Sequence, residues 1–304
     1  MRKLKLNDFF KKEASLATIV LGFAAASCSY VGGGELEEPS PASVHFMDVG
    51  QGLAVLLEYD GRYAMYDTGP DSVGVIDSLR SRGIDTLEWV VLSHYHRDHA
   101  GGFLEFGMPV ARTSLMENAS RVHVRRLFVG PDTAVGFVRD SVLRLAFWYG
   151  IPVDTLTRGK SLSLGTGDAP RIEVLWPPDY VRVGGNGASL VLDVRFGAAS
   201  VLLPGDLDSA GERRLLELSP TLDAGLMQVG HHGSAGSSSL KFVSQVSPEY
   251  AVVSVGEGNS YGHPANSTLQ KFVYVQGDSA RFFRTDRDGS VTFELYENLG
   301  VVKP

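Results

Sequence analysis

A single cysteine, Cys28, stands in a chain of 304 residues, so no disulfide can form within it. Long apolar runs are equally scarce. After residue 27 no stretch approaches the roughly 20 consecutive apolar residues that a membrane-crossing helix needs. Positive charge is in the minority: 28 Lys and Arg stand against 35 Asp and Glu, for a formal net charge of −7. Arg2, Lys3, Lys5, Lys11 and Lys12 all fall before residue 15, beside only Asp8 and Glu13, which leaves the remainder more acidic still. This balance argues against broad, sequence-independent binding to nucleic acid, although a local basic groove or a cation-assisted phosphate site stays open. Against these absences stand a 43% hydrophobic content, enough for a sizeable core at this length, and 35 glycines, which suit tight turns around a site.

The N terminus has its own pattern. Residues 1–14 are rich in Lys and Arg, and Ser15 to Ser27 is apolar and ends in small residues, the shape of a secretory signal. The stretch Ala25-Ala26-Ser27-Cys28 resembles a bacterial lipobox, with Ala25 where Leu is usual. The resemblance implies a signal peptide over 1–27, cleavage before Cys28 and lipid attachment to it. The protein would then be an exported lipoprotein of the bacterial cell envelope, held to the membrane by its N-terminal anchor. A plain signal peptide cut nearby and a short uncleaved anchor are the alternatives. Residues 28–42, mostly Gly, Glu, Pro and Ser, read as a flexible tether ahead of a folded domain at 43–304.

From Val44 the chain reads as strands, with Leu53 to Tyr59 and Arg62 to Tyr66 turning at Asp60-Gly61. Val73 to Arg82 has helical spacing and stops at Gly83, and Leu87 to Leu92 is one buried strand. Residues 105–160 are hard to read beyond a helix at Arg139 to Tyr149. Strands follow at Arg171 to Leu175, Ser189 to Phe196, Ser200 to Leu203, Gly225 to Val229 and Ala251 to Val255, with helices at Ala210 to Leu218 and Leu269 to Val275. Ala280 to Arg284 and Ser290 to Tyr296 are expected to form a closing hairpin around Arg287-Asp288-Gly289. A β block, helices and a second β block predict an α/β (α+β) fold, a four-layer αββα sandwich.

The chemistry concentrates in His94-Tyr95-His96-Arg97-Asp98-His99, directly after a strand and before Ala100-Gly101-Gly102. Neutral imidazoles and carboxylates are the ligands that a borderline cation prefers. Alternation past the strand lets His94 and His96 point one way, and Asp98 and His99 fall in the turn, which suits two adjacent divalent ions, Zn²⁺ or Mn²⁺. Asp206, after Val201 to Gly205, is a candidate bridging ligand. His231 and His232 follow a later strand, and one of the two is needed as a ligand. His263 is open to metal binding, protonation of a leaving group, substrate contact or a structural role. Asp48 and Asp67 either orient ligand histidines or cap turns. Gln51, Asn186, Ser189 and Ser234 sit at strand ends where they could face the same site.

These residues in this order resemble the metallo-β-lactamase superfamily, and in finer pattern the C-terminal hydrolase domain of ComEC-type DNA-uptake proteins. The matching pieces are Asp48 to Gly52, Asp67 to Gly69, Ser93 to Gly102, Asn186 to Leu192, Leu202 to Asp206, Val229 to Ser234, Tyr261 to Pro264 and Arg284 to Gly289. ComEC-type proteins carry many membrane helices and an extra small β domain. This chain shows neither, so DNA uptake through a channel is not implied. Many superfamily members also place one more histidine before Gly-Asp, where this chain offers Asn186 and Ser189; Mn²⁺ then becomes as suitable as Zn²⁺, and β-lactam hydrolysis fits less well.

The resulting expectation is metal-dependent hydrolysis of a phosphodiester by a hydroxide held between two cations, with Asp98 essential and His263 assisting the leaving oxygen. Nucleic acid is the substrate that the resemblance suggests, with Arg121, His123, Arg125 and Arg126 as a local basic strip. A small or envelope phosphodiester, or another ester, is the alternative. A catalytically silent metal-binding lipoprotein is the reading from a different class. No protein partner is implied.

Overall fold

A computed structural model describes residues 41–71, 73–107, 122–132, 135–179, 184–277 and 281–304. The expected signal peptide, Cys28, the tether up to Ser40, and Arg121 lie outside the described residues. No helix among the described residues is long and apolar enough to cross a membrane.

The chain opens with β1 (Ala42–Phe46), β2 (Ala54–Tyr59) and β3 (Arg62–Thr68), an antiparallel meander. Ala42, read from sequence as the last tether residue, is the first residue of β1. Next come α1 (Val75–Ser81), β4 (Thr86–Leu87) and β5 (Trp89–Leu92); the single strand expected at Leu87 to Leu92 is broken at Glu88. After α2 (Arg97–Ala100) and a 3₁₀ segment at Gly101–Gly107, the chain forms β6 (His123–Val124), β7 (Leu127–Val129), α3 (Phe137–Trp148) and β8 (Val153–Thr155). The second half holds β9 (Ser161–Ser163), β10 (Arg171–Trp176), β11 (Val191–Phe196), β12 (Ala199–Leu203), α4 (Ser209–Leu218), β13 (Leu226–Gln228), α5 (Leu240–Val246), β14 (Tyr250–Val253) and α6 (Asn266–Gln276). It closes with β15 (Arg281–Arg284), α7 (Thr285–Asp288), β16 (Val291–Tyr296) and β17 (Gly300–Val302).

Two large sheets result, ordered β17-β16-β1-β2-β3-β5-β7-β8 and β15-β14-β13-β12-β11-β10-β9. The expected closing hairpin is therefore a correction. β15 pairs with β14 and β16 with β1, so the chain changes sheets between them. The crossing is pinned by Thr285, whose buried hydroxyl accepts from the Val255 N–H at 2.8 Å and donates to the Val255 carbonyl at 3.0 Å. Strand and turn signals look alike in a hairpin and in a sheet-to-sheet crossover, so sequence alone does not separate them.

Period-two alternation builds the layers. In β5, Trp89 and Val91 face the other sheet, while Val90 and Leu92 face α1 and α3. In β12, Val201 and Leu203 join the inter-sheet core, and Leu202 packs toward Leu215 of α4, Phe242 of α5 and Phe272 of α6. Three apolar clusters thus separate four layers, helices outside and sheets inside, as the pattern predicts. Each fully buried Leu or Phe in them contributes roughly 2 kcal/mol of transfer free energy. Two helices, α4 and α5, begin where short polar side chains cap them: Asp208 Oδ1 accepts from the Gly211 N–H, and Ser239 Oγ from the Phe242 N–H.

Topology also decides where a site can form. β3, β5 and β7 run parallel, and so do β12, β13 and β14. Each group ends its strands at one edge, the usual place for functional loops in parallel sheets. Near those ends the buried Tyr66 hydroxyl hydrogen-bonds the Leu190 carbonyl at 2.7 Å and the Leu203 carbonyl at 3.2 Å, tying the sheets together.

Candidate metal centre

β5 ends at Leu92 and delivers Ser93 and His94, both buried. His96 is the N-cap of α2, and Asp98 and His99 lie within that four-residue helix. α2 can dock only because Gly102 follows it: a Cβ there would stand 2.1 Å from the Thr68 carbonyl oxygen. The second sheet supplies Asp206 after β12, through Gly205 at φ 57°, and His231 and His232 after β13. These two histidines take φ 51° and 53° in succession, the left-handed region that residues other than glycine populate sparsely.

The ligand-type atoms fall into two groups, each within 4.8 Å of one another: His94, His96 and Asp206, then Asp98, His99 and His232. Asp206 joins them. Its Oδ2 lies 4.0 Å from His94 Nε2, and its Oδ1 lies 3.1 Å from His99 Nε2 and 3.7 Å from His232 Nε2. Asp98 Oδ2 is 3.3 Å from His232 Nε2.

The rings are held from behind. His99 Nδ1 meets Asp67 Oδ2 at 2.7 Å, and His232 Nδ1 meets the Ser254 carbonyl at 2.8 Å. His94 Nδ1 lies 3.0 Å from Ser93 Oγ and 3.4 Å from Ser189 Oγ. Three Nε2 atoms are thereby turned into one space. His94 Nε2 is buried there with no hydrogen-bond partner among the described residues. A buried lone pair without a partner is costly, and a cation would satisfy it. The donor set therefore fits divalent cations.

Charge points the same way. Burial favours a neutral His99, yet the Asp206 and Asp67 carboxylates outweigh it and raise its pKa well above the ordinary value. Burial also opposes ionisation of Asp206 and Asp98; His99 and His232 prevail and hold both below the usual carboxylate range. Burial, then His99, holds His94 neutral. Without a cation the cluster keeps a proton on His99, and cation binding must displace it.

The other expected residues divide. Asp67 lies in the cluster, at φ 57°, and also accepts from the Ser93 N–H at 2.6 Å and the Ser93 hydroxyl at 2.7 Å. Ser189 accepts from the Asp206 N–H at 3.2 Å. Asn186 Nδ2 approaches the His231 ring at 3.2 Å, and His231 Nε2 is 3.6 Å from Asp206 Oδ2, outside both ligand groups. The His263 ring is 5.8 Å from that of His231, with a buried Nδ1 lacking a partner among the described residues. Gln51 instead anchors a loop, accepting from the Gly256 N–H at 3.1 Å. Asp48 is exposed and caps its own turn at the Gly50 N–H, and Ser234 does the same at the Gly236 N–H. The basic strip needs correction too. Arg125 and Arg126 precede β7, which pairs with β5 so that they lie at the opposite end of the strands from His94, and they are ion-paired with Glu88 and Asp154.

Sequence reasoning missed three supports. Ser93 bridges Asp67 and His94. The buried Gln228 carboxamide clamps the turn before Asp206, accepting from the Gly205 N–H at 2.8 Å and donating to its carbonyl at 3.0 Å. Ser254 orients His232 through its backbone, where residue identity leaves no signal. A polar Gln in an otherwise apolar strand was the one available cue.

The Metallo-beta-lactamase superfamily profile matches residues 47–257. Competence protein ComA of Neisseria gonorrhoeae is 31% identical over 258 residues, covering 84% of this chain and 32% of ComA. ComE operon protein 3 of Bacillus subtilis is 29% identical over 283 residues, covering 86% of this chain and 34% of that protein. The chain thus spans about a third of the curated relatives it matches. Among solved structures, CmlA, a diiron β-hydroxylase from Streptomyces venezuelae, superposes with a TM-score of 0.54 at 14% identity over 84% of this chain and 55% of its own. The metallo-beta-lactamase fold protein YhfI of Bacillus subtilis gives 0.51 at 13% identity over 80% and 96%. At such identities the likeness concerns fold alone. The profile match and the convergent histidines and aspartates lead to one conclusion: the chain belongs to the metallo-β-lactamase superfamily and carries its metal-dependent hydrolase fold.

Proposed function

We propose that the protein hydrolyses phosphodiesters with two divalent cations. The observation that carries this reading is Asp206, whose two carboxylate oxygens face different ligand groups. His94, His96 and Asp206 would hold one cation, and Asp98, His99, His232 and Asp206 the other. The cations supply Lewis-acid polarisation of the phosphoryl oxygen and a lowered pKa for the attacking water. Water adds to phosphorus and gives up one proton, the bond to the leaving oxygen breaks, and that oxygen takes up one proton, so the step balances. We assign this proton transfer to His263, whose ring lies 5.8 Å from that of His231 and whose buried Nδ1 lacks a partner among the described residues. Asn186 holds the His231 ring at the edge of the ligand groups. Asp67, Ser93 and Ser189 fix the ligand rings and exclude other orientations.

The basic N-terminal segment, the apolar run and Cys28 support export and lipid anchoring at the membrane. The finer substrate is supported by similarity to competence proteins.

The test is turnover of bis-p-nitrophenyl phosphate and of DNA by the purified protein loaded with Mn²⁺ or Zn²⁺. Hydrolysis that vanishes in Asp98→Ala, with an unchanged circular dichroism spectrum, supports the reading. Bound metal without turnover of either compound would favour a binding protein instead.

A further inference from the structure

The loop from Gly230 to Ser239 carries His231 and His232 and otherwise holds only Gly, Ser and one Ala. Such side chains supply little apolar mass, so hydrogen bonds must fix the loop against its conformational entropy. Two helices provide them. From α6, the Thr268 hydroxyl donates to the Ser234 carbonyl at 2.9 Å, and Lys271 Nζ to the Ser237 carbonyl at 3.1 Å. From α4, the Ser209 N–H and hydroxyl donate to the Gly236 carbonyl at 3.0 and 2.7 Å. Glu212 of α4 adds the charged acceptor. Its Oε1 accepts from the Ser238 N–H at 2.5 Å and its Oε2 from the Ser239 N–H at 2.8 Å. Bonds to an ionised acceptor are about twice as strong as neutral ones.

Glu212 is 1% exposed, and no step of the hydrolysis uses it. Burial pushes its carboxyl above the usual range, opposed by the Ser239 and Ser238 donors and then by Lys271. What its two bonds fix is Ser238, a residue at φ 47° whose Oγ accepts from the Gly230 N–H at 3.0 Å. Gly230 directly precedes the two histidines, and the His231 N–H donates to the Gly205 carbonyl at 3.1 Å, one residue before Asp206. α4 itself starts three residues after Asp206. Its first turn thus connects the turn bearing Asp206 to the loop bearing His232. We propose that Glu212 is a positioning residue for the metal centre: through Ser238 and Gly230 it holds the His232 loop in register with Asp206, so that both reach the cation shared with Asp98 and His99. The proposal rests on the two-cation reading and deepens it with a residue outside both ligand groups.

Two variants cut this link at different points. Glu212→Gln keeps the size, offers one acceptor oxygen and turns an amide NH₂ toward the second N–H. Ser238→Gly accommodates φ 47°, keeps both N–H groups on Glu212 and removes only the Oγ that meets Gly230. In competition with a chelator, each is expected to weaken the Zn²⁺ ion at Asp98, His99 and His232 about tenfold. The double variant should lose no more than either single one, because both act through one contact. A second readout needs no metal: amide hydrogen exchange of the metal-free protein by NMR. The Gly230 N–H is expected to exchange about tenfold faster in both variants, while amides of β11, two strands from β13, keep their rates. Exchange that speeds up equally across the sheet, with affinity falling only in step with stability in a urea melt, shows a merely structural role and overturns the proposal. Unchanged affinity in Ser238→Gly overturns it whether or not Glu212→Gln folds. If the unaltered protein takes up fewer than two Zn²⁺ ions, the two-cation reading fails, and Gly230 exchange still decides whether Glu212 governs the loop.

Discussion

Asp67 Oδ2 stands 2.7 Å from His99 Nδ1, with both side chains fully buried. The carboxylate therefore sets which face of the imidazole is free for a cation. Asp67→Asn keeps the size and loses the charge that orients His99. Cation affinity is expected to fall about 10- to 100-fold, a range typical of the groups behind metal-ligating histidines. Competition with a chelator of known affinity measures it; unchanged affinity would show that the contact only fills space.

The adjacent histidines after β13 are predicted to differ. His232 belongs to a ligand group and His231 does not. His232→Ala should lose close to one cation per chain in elemental analysis, whereas His231→Ala should retain both and lose turnover by roughly 100-fold, the size of a general-acid or positioning effect. Equal metal loss in both variants would contradict this division.

His45 gives the fold a pH dependence remote from the cluster. Its ring meets Thr292 Oγ1 and an Arg82 guanidinium nitrogen, each at 2.5 Å, and burial followed by Arg82 lowers its pKa from 6.5 to about 4. Because the folded value is depressed, the unfolded chain binds the extra proton first as pH falls. Stability is full above 6.5 and is lost progressively down to about 4. The amount is about 2 kcal/mol after allowing for partial exposure to solvent. Urea melts of the protein and of His45→Gln, compared across this window, isolate the contribution; parallel curves would remove it.

Gly102 is held by contact rather than by backbone conformation. Adding a methyl group sets it 2.1 Å from the Thr68 carbonyl oxygen, so either α2 or the end of β3 must move. Gly102→Ala is expected to cost about 3 kcal/mol in a denaturant melt and to reduce metal content with it, since both segments carry the cluster. A stable variant with full metal content would show that the two segments can separate without cost.

The sheets were legible because alternation is a local property. Val201, Leu202 and Leu203 announce a strand buried on both faces, whatever it packs against. The hairpin expected at the C terminus failed because pairing partners are not local: Arg281 to Arg284 finds Tyr250 to Val253, and Val291 to Tyr296 finds Ala42 to Phe46. The region around α3 was hardest to read. Its strands are two or three residues long, and Phe137, Phe147 and Trp148 stay exposed, which erases the apolar periodicity that marks a helix.

The chain order alone determined the kind of chemistry. Imidazoles and carboxylates placed at strand ends keep their ligand character in any packing, so His94, His96, Asp98, His99 and Asp206 could be named from spacing. Tertiary structure decided the rest. Only folding places Asp206 between the two groups, selects His232 over its neighbour through the Ser254 carbonyl, turns Asp67 toward His99 and Asp48 away, and sets Glu212 against the loop that carries His232. Each of those outcomes depends on which atoms from distant segments come within about 3 Å, and a hydrogen bond or a coordination bond is decided at that scale.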